Sequence, residues 1–163
     1  MDRLYVETSI VSYATAWPSR DITIAGLQQQ ARDWWANERI KFDLVTSQVA
    51  LDEAGDGDPA AATERFELLD GLPLIDINTD VISLARRLIE AHTMPEKAAA
   101  DSVHVAALGG VKYLLTLNCR HIANAHELPR IHDLLRHEGL GQLLNCTSAE
   151  FLGAQDDDER SDT

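Results

Sequence analysis

The sequence predicts an α/β domain in which helices cover both faces of a parallel sheet. The segment 111–117 (VKYLLTL) is almost fully apolar, and a strand without alternating polar residues is typical of a sheet buried on both faces. Similar short apolar segments alternate with helical segments along the chain, which indicates parallel strands joined by right-handed helical crossovers. Ligands bind at the carboxyl ends of the strands in such sheets. The polar cluster that follows the central strand is therefore a candidate site: Asn118, Cys119, Arg120, His121 and Asn124.

The N-terminal part is predicted to contain one strand and two helices. Residues 4–6 form a short apolar strand that Glu7 closes, and Thr8 and Ser9 are candidate caps of the next helix. A second helix is predicted over 21–38. An exposed aromatic patch for a partner is the alternative to a core role for its apolar face. Helical spacing defines the two apolar faces as Ile10, Tyr13, Ala14 and Trp17, then Ile24, Leu27, Ala31, Trp34 and Trp35.

A second strand is predicted over 42–46, and Ser47 is expected to cap the short helix that carries Asp52 and Glu53. The glycines around Asp56 end that helix.

The next helix has a strong start signal, because Asp58 is an N-cap residue and Pro59 follows at the first helical position. This helix is expected to run to about residue 70 with Phe66 and Leu69 turned inward. A third strand is predicted over 72–77.

A further helix is capped by Asn78, and a separate helix opened by Pro95 carries Asp101. Gly109 and Gly110 end the Asp101 helix just before the central strand. The apolar stripe of the Asn78 helix is Val81, Ile82, Ala85, Leu88 and Ile89.

The C-terminal part is predicted to contain one helix, one strand and a last helical turn. Pro129 begins the helix, Gly139 ends it, and 143–146 is the strand. Thr147 and Glu150 have the spacing of a capping box for the final turn. The buried positions of the helix are predicted to be Ile131, Leu134 and Leu135.

Length and composition predict one globular domain over 1–153 and an acidic, disordered tail over 154–163 (residues 156–163 read DDDERSDT). No apolar segment is long enough to cross a bilayer, and no signal peptide is apparent, so a cytoplasmic protein is expected. The two cysteines, Cys119 and Cys146, are then expected to be reduced, and they do not form a patterned zinc site. A formal net charge of −13 argues against delocalised binding to nucleic acid, although a local basic patch and bound metal ions would allow it.

Three carboxylates occupy positions where such a fold gathers function. Glu7 ends the first strand, Glu53 follows the second, and Asp101 lies in an otherwise apolar helix before the central strand, which Asn118 ends. Clustered carboxylates repel one another unless a cation lies between them, and oxygen ligands of this kind suit magnesium or manganese. The chemistry that follows is metal-assisted phosphodiester hydrolysis. Each acid also has an ordinary interpretation, as a solvated helix residue or as a charge near a helix start.

Three local patterns surround these residues: YVETSIVSY (5–13), VALDEAGDGDP (49–59), and AAADSVHVAAL (98–108) followed by YLLTLNCRHIANA (113–125). Together they resemble PIN domains, in particular VapC toxins of toxin–antitoxin pairs. The first is similar to the opening motif, in which an acid precedes Thr-Ser, with Glu7 where the family usually has Asp. VALDEAGDGDP (49–59) matches the region of the second acid, assigned to Glu53. AAADSVHVAAL (98–108) and YLLTLNCRHIANA (113–125) resemble the third acid, Asp101, and the strand and loop that follow it. A fourth acid is common in the family where this chain has Asn118.

The resemblance implies a three-layer α/β/α domain with a parallel sheet of about five strands and a pocket that binds Mg²⁺ or Mn²⁺. It also implies endoribonuclease activity, a homodimer and a cognate antitoxin. Glu7, Glu53 and Asp101 would bind the metal, Asn118 would replace the fourth acid, and Thr8 or Ser9 would support the pocket by hydrogen bonds. The four arginines expected to steer RNA by charge are Arg86, Arg87, Arg120 and Arg130.

Two other functions are compatible with the sequence. A catalytically weak PIN-like module could act through protein or RNA binding, which Asn118 and the acidic balance favour. A small metal phosphohydrolase acting on nucleotides is also compatible, because a fold does not determine its substrate. A nucleotide-binding dehydrogenase is disfavoured, since no G-x-G-x-x-G follows the first strand.

Overall fold

A sheet of five parallel strands forms the centre of the protein, whose computed structural model describes residues 1–90, 110–120, 122–140 and 143–152. The strands lie in the order β3-β2-β1-β4-β5, and each pairs in parallel with its neighbours. Their bounds are β1 Arg3–Val6, β2 Asp43–Ser47, β3 Leu74–Ile75, β4 Tyr113–Leu115 and β5 Leu144–Cys146. The predicted helix of Asp101 and the predicted tail over 154–163 lie outside the described residues.

Helices follow the strands along the chain as the sequence predicts. Their bounds are α1 Thr8–Thr15, α2 Ile22–Asn37, α3 Gln48–Ala54, α4 Pro59–Leu69, α5 Thr79–Glu90, α6 Leu128–His137 and α7 Ala149–Leu152, with a short 3₁₀ helix at Arg39–Lys41. None of the helices within these described ranges has the length and apolar character that a membrane crossing requires.

Alternate residues of each central strand enter two different cores, which establishes the three-layer α/β/α architecture. In β1, Leu4 and Val6 pack in the core beneath α1 and α2, whereas Tyr5 packs in the core beneath α6. In β4, Leu115 belongs to the first core and Leu114 to the second. Both faces of the sheet are therefore buried, as an apolar strand without polar alternation requires.

Two helix starts follow the predicted capping chemistry, and others differ from it: Ser47 makes no capping bond, and α6 begins at Leu128, one residue before the predicted Pro129. Asp58 accepts a hydrogen bond from the Ala61 amide at 3.0 Å, and Pro59 opens α4. Asn78 likewise accepts from an amide of the first turn of α5. The cap of α1 is Glu7 and not Thr8 or Ser9, because the chain is already helical at residue 8 and Glu7 remains extended.

Two aromatic residues predicted to face the core are exposed. Trp17 is 92% exposed, because α1 ends at Thr15 and the extended residues before Pro18 carry the indole away from the helix face. Phe66 is 42% exposed, and its ring lies across Gly55 at the end of α3. The alternative of an exposed aromatic face on α2 is wrong for its tryptophans, since Trp34 and Trp35 are buried.

The predicted bounds of two strands are too long. The 72–77 prediction shortens to β3, where Pro73 has no N–H to extend the ladder, and the 111–117 prediction shortens to β4. Of the predicted α5 stripe, Ile82 is 53% exposed, and the other stripe side chains lie outside the described part. In α6, Ile131 and Leu135 are buried as predicted, and Leu134 is half-buried.

Candidate active site at the carboxyl edge of the sheet

The strand order creates a switch point between β1 and β4. From β1 the chain proceeds to β2 and β3 on one side, then returns to place β4 on the other side of β1. Crossovers therefore diverge at the carboxyl ends of β1 and β4, which leaves the crevice where open α/β sheets bind ligands. Glu7 directly follows β1, and Asn118 lies three residues beyond the end of β4.

An open cleft of about 650 Å³ occupies this position. It brings together five of the predicted site residues, namely Glu7, Thr8, Ser9, Glu53 and Asn118. It also contains Arg120, one of the arginines predicted to steer RNA, and Asp56, which was not predicted. The remaining walls are Ser12, Tyr13, Leu27, Leu117 and Cys119. The sixth predicted residue, Asp101, lies outside the described residues.

Glu7 is buried, at 4% exposure, and its Oε2 accepts three hydrogen bonds. The Ser9 amide donates at 3.0 Å, the Ser9 hydroxyl donates as well, and the Thr116 hydroxyl donates at 2.8 Å. A buried carboxylate needs such donors, because desolvation strongly disfavours its charge. The same carboxylate caps α1, where the partial positive charge of the helix N-terminus also favours a negative group.

Thr116 is a residue of this network that the sequence interpretation missed. Its hydroxyl donates to Glu7 and accepts from the Asn118 amide at 2.9 Å, and it is fully buried. The Ser9 hydroxyl makes a matching link, accepting from the Leu117 amide at 2.8 Å. Glu7 is thereby connected to the backbone beyond β4. The available signal was a threonine near the carboxyl end of the mostly apolar segment 111–117.

Glu53 and its neighbour Asp52 occupy different environments on α3. Glu53 lines the cleft and is half-buried, whereas Asp52 is exposed and accepts from the Gln48 side chain at 2.8 Å. The Thr8 hydroxyl links α1 to α3 by donating to the Ala50 carbonyl at 3.2 Å. Ser47 is at the N-cap of α3, but its hydroxyl pairs with the Tyr5 hydroxyl at 2.7 Å and makes no capping bond.

Asn118 is held by its backbone at the start of the loop after β4. Its amide donates to Thr116, and its carbonyl accepts from the amides of Ile122 and Ala123, both at 3.0 Å. These bonds curl the loop back on itself. Asn118 thereby forms part of the cleft wall, at a position where a carboxylate would have added charge.

The donor chemistry of the cleft suits a hard cation such as Mg²⁺ or Mn²⁺, because Glu7, Glu53, Asp56 and Asn118 supply oxygen atoms. Within the described ranges, however, no three His, Cys, Asp or Glu residues gather into a group that could hold a metal ion. The described oxygen donors are therefore of the type that Mg²⁺ and Mn²⁺ bind. The predicted set of three acidic ligands also includes Asp101.

The two cysteine thiols are less suited than the oxygen donors to bind a metal ion or to act in catalysis. Burial and the nearby Glu150 raise the pKa of Cys119, and the same causes raise the pKa of Cys146 to about 12. Neither cysteine is in a disulfide. Both thiols are thus disfavoured as thiolates, which soft metal binding or nucleophilic attack would require.

Comparison with protein-family models matched no family, and comparison with curated proteins gave no significant match.

Proposed function

We propose that the protein is a PIN-like endoribonuclease that hydrolyses RNA phosphodiester bonds with Mg²⁺ or Mn²⁺. The observation that supports this most strongly is the convergence of Glu7, Glu53 and Asn118 on one cleft at the switch point of a parallel sheet. These residues come from three separated segments, the same ones that carry the sequence resemblance. Polar residues without a shared function would not be expected to lie together in one cleft when they come from segments so far apart in the sequence.

In this proposal Glu7, Glu53 and Asp101 hold the metal ion, which when bound would activate water and stabilise negative charge on the phosphate. Ser9 and Thr116 hold the Glu7 carboxylate in one orientation through its Oε2. Such fixed orientation matters because a displaced ligand weakens both metal binding and catalysis.

Two other side chains of the cleft have proposed roles toward RNA. Asn118 offers an amide oxygen or a hydrogen-bond donor without adding negative charge, which lowers repulsion toward a phosphate. Arg120 supplies a cation at the cleft wall, where it attracts the RNA backbone.

The direct test is cleavage of a panel of structured RNAs in Mn²⁺, Mg²⁺ or EDTA. We expect the wild type to cleave only with metal and Asp101→Ala to lose cleavage while keeping its circular dichroism spectrum. Comparable cleavage by Asp101→Ala would contradict the proposal. Mononucleotides in the same assay separate an RNA nuclease from a nucleotide phosphohydrolase.

A matched pair of variants tests the cleft itself. Glu53→Gln should lower cleavage by at least about 10²-fold, whereas Asp52→Asn, one residue away on the same helix and outside the cleft, should not change it. Equal effects of the two variants would mean that the cleft is not the reaction site.

A binding module without catalysis is the second candidate. It is favoured by the amide at Asn118 and by the hydrogen bonds that tie one oxygen of Glu7 to a helix-capping role. Metal-independent RNA retention without cleavage by the wild type would support it.

The proposal extends to a cytoplasmic toxin that forms a homodimer and is neutralised by a cognate antitoxin. Host growth arrest on expression, relieved by a protein encoded in the adjacent reading frame, would support that role. Absence of arrest by a chain that cleaves RNA in vitro would contradict it, and sedimentation analysis tests the dimer.

A further inference from the structure

Arg65 of α4 forms two hydrogen bonds to the segment that leaves α3. Its Nε donates to the Ala54 carbonyl at 2.8 Å, and its Nη2 donates to the Asp56 carbonyl at 2.7 Å. A guanidinium group is planar and presents its N–H donors in a fixed arrangement. One side chain of α4 therefore holds the backbone on both sides of Gly55, where the chain turns from α3 to α4.

The segment that Arg65 holds lies next to two residues of the cleft. Glu53 immediately precedes Ala54, the last residue of α3, and Asp56 accepts one of the two hydrogen bonds through its own carbonyl. Glu53 and Asp56 both line the cleft, whereas the described lining residues do not include Arg65. Arg65 would therefore act on the cleft through the backbone of α3 and of the turn that follows it.

The C-terminal end of α3 needs hydrogen-bond donors, because the last carbonyls of a helix have no partner within it. The Gly55 amide donates to two carbonyls of the last turn, and the Asp56 amide donates to the Glu53 carbonyl at 3.1 Å. Arg65 serves the Ala54 carbonyl, and its positive charge also suits the negative end of the helix dipole. Since α3 has only seven residues, the orientation of Glu53 depends on how this end is held.

Phe66, the residue after Arg65, packs against the same turn. The backbone of Gly55 has a helical φ of −79°, so a side chain there would not strain the backbone itself. A methyl group at this position would, however, lie 3.1 Å from the tip of the Phe66 ring, closer than carbon atoms normally pack. Two consecutive residues of α4 thus contact the turn, one by hydrogen bonds and one by its ring.

We infer that Arg65 is a positioning residue of the cleft, which holds the end of α3 so that Glu53 keeps its orientation toward the proposed metal ion. The inference rests on the proposed nuclease function for the role of Glu53, whereas the hydrogen bonds of Arg65 are independent of that function. Loss of a group that orients a metal ligand typically lowers metal affinity about 10- to 100-fold. In this role Arg65 touches neither the ion nor the substrate.

Amide hydrogen exchange measures whether Arg65 holds the end of α3, without any metal or substrate. In Arg65→Ala we expect the Gly55 and Asp56 amides to exchange about 5- to 150-fold faster than in the wild type, because loss of the two hydrogen bonds favours local opening. Amides of α6, which packs in the other core, should keep their exchange rates. Unchanged exchange at Gly55 and Asp56 would overturn the inference.

Isothermal titration with Mn²⁺ measures the consequence for the cleft. Arg65→Ala should raise the Kd for Mn²⁺ by about 10- to 100-fold. Arg65→Lys keeps the charge but lacks the planar fork that spans both carbonyls, so its Kd should lie between those of the wild type and Arg65→Ala. RNA cleavage by Arg65→Ala should fall at limiting Mn²⁺ and recover as Mn²⁺ is raised, because the variant loses affinity for the ion and not a reacting group.

Arg136→Ala is the matched control, since Arg136 is an exposed arginine of α6 that donates to Asp133 within that helix. It should change neither the exchange at the end of α3 nor the Kd for Mn²⁺. Where Arg65→Ala fails to fold, Arg65→Lys provides both comparisons with smaller expected changes.

The two measurements separate a positioning role from a purely structural one. Faster exchange in Arg65→Ala with an unchanged Kd for Mn²⁺ would overturn the positioning role and make Arg65 only a cap of α3. A wild type that neither binds Mn²⁺ nor cleaves RNA would overturn the proposed function, and the exchange rates would then decide separately whether Arg65 holds the end of α3.

Discussion

Glu7 both caps a helix and lines the candidate cleft. Its Oε2 receives three donors and caps α1, and the same side chain lines the cleft together with Glu53. The Glu7 side chain curls back so that its carboxylate accepts from the Ser9 amide of the first helical turn. The structural role thus orients the candidate ligand.

Thr116→Val tests how strongly this orientation is held. The substitution preserves shape but removes the donor of a buried hydrogen bond to Glu7 and the acceptor of a partly buried one from the Asn118 amide. We expect the free energy of unfolding to fall by about 1–3 kcal/mol, as measured by urea denaturation. Thr116→Ser keeps the hydroxyl, so its free energy of unfolding should fall by less. A valine variant as stable as wild type would show that the hydroxyl contributes no net stability.

Cys146 should make the protein sensitive to alkaline pH. Burial raises its pKa from 9.0 to about 12, so the folded state keeps a proton that the unfolded chain releases above pH 9. Because the folded state then binds more protons, its stability is retained below pH 9 and falls as the pH rises toward 12, by at most about 1.4 kcal/mol per unit.

Urea denaturation at pH 8 and pH 10.5 measures this loss. Cys146→Ala should remove most of the decrease between the two pH values, even though its stability at pH 8 is lower. Cys119→Ala, which changes an exposed cysteine, should retain the Cys146 contribution. An equal decrease in the wild type and Cys146→Ala would contradict the assignment.

Some helix ends are determined by the residues immediately around them, so the local sequence predicts them well. Asp58 and Pro59 specify the first turn of α4 without help from distant residues, because the cap is a bond between neighbours along the chain. The end of α1 is also local, since Pro18 disfavours helix in the residue before it. The exposure of Trp17 follows from that end and could have been predicted from Pro18.

Asp58→Ala should lower the free energy of unfolding by about 1 kcal/mol, because the Ala61 amide loses its acceptor at the start of α4. Urea denaturation provides the measurement. Asp56→Ala is a control on the preceding turn that leaves the α4 cap intact, and it should change stability less. A larger loss for Asp56→Ala would indicate that the turn, and not the cap, determines where α4 begins.

The order of the strands in the sheet brings the candidate metal-binding residues together. Glu7 and Asn118 are over 100 residues apart in the sequence, and they meet because β1 and β4 pair directly. The hydroxyl of Thr116 then crosses between the two strands to reach Glu7. Ion binding in this cleft would therefore stabilise the folded chain as a unit.

Mn²⁺ should accordingly raise the thermal midpoint of the wild type. At a concentration of about 100 times Kd, a single site adds about 2.7 kcal/mol, and each kcal/mol corresponds to roughly 2–4 °C for a chain of this size. Differential scanning calorimetry with Mn²⁺ or EDTA measures the shift. Glu53→Gln should show a much smaller shift, and Asp52→Asn should match the wild type. A wild-type midpoint unaffected by Mn²⁺ would contradict metal binding.

The sequence by itself determined the α/β class, the parallel sheet, most helix starts and the segments that supply Glu7, Glu53 and Asn118. These follow from hydrophobic periodicity and capping, which act over a few neighbouring residues. Only the tertiary structure decided the strand order, the hydrogen bond from Thr116 to Glu7, the separation of Glu53 from Asp52 and the hydrogen bonds from Arg65 to the end of α3. Each of these depends on contacts between segments distant in sequence or on which side of a helix meets the sheet. Local periodicity carries no information about such pairings, because they are selected by the packing of the whole domain.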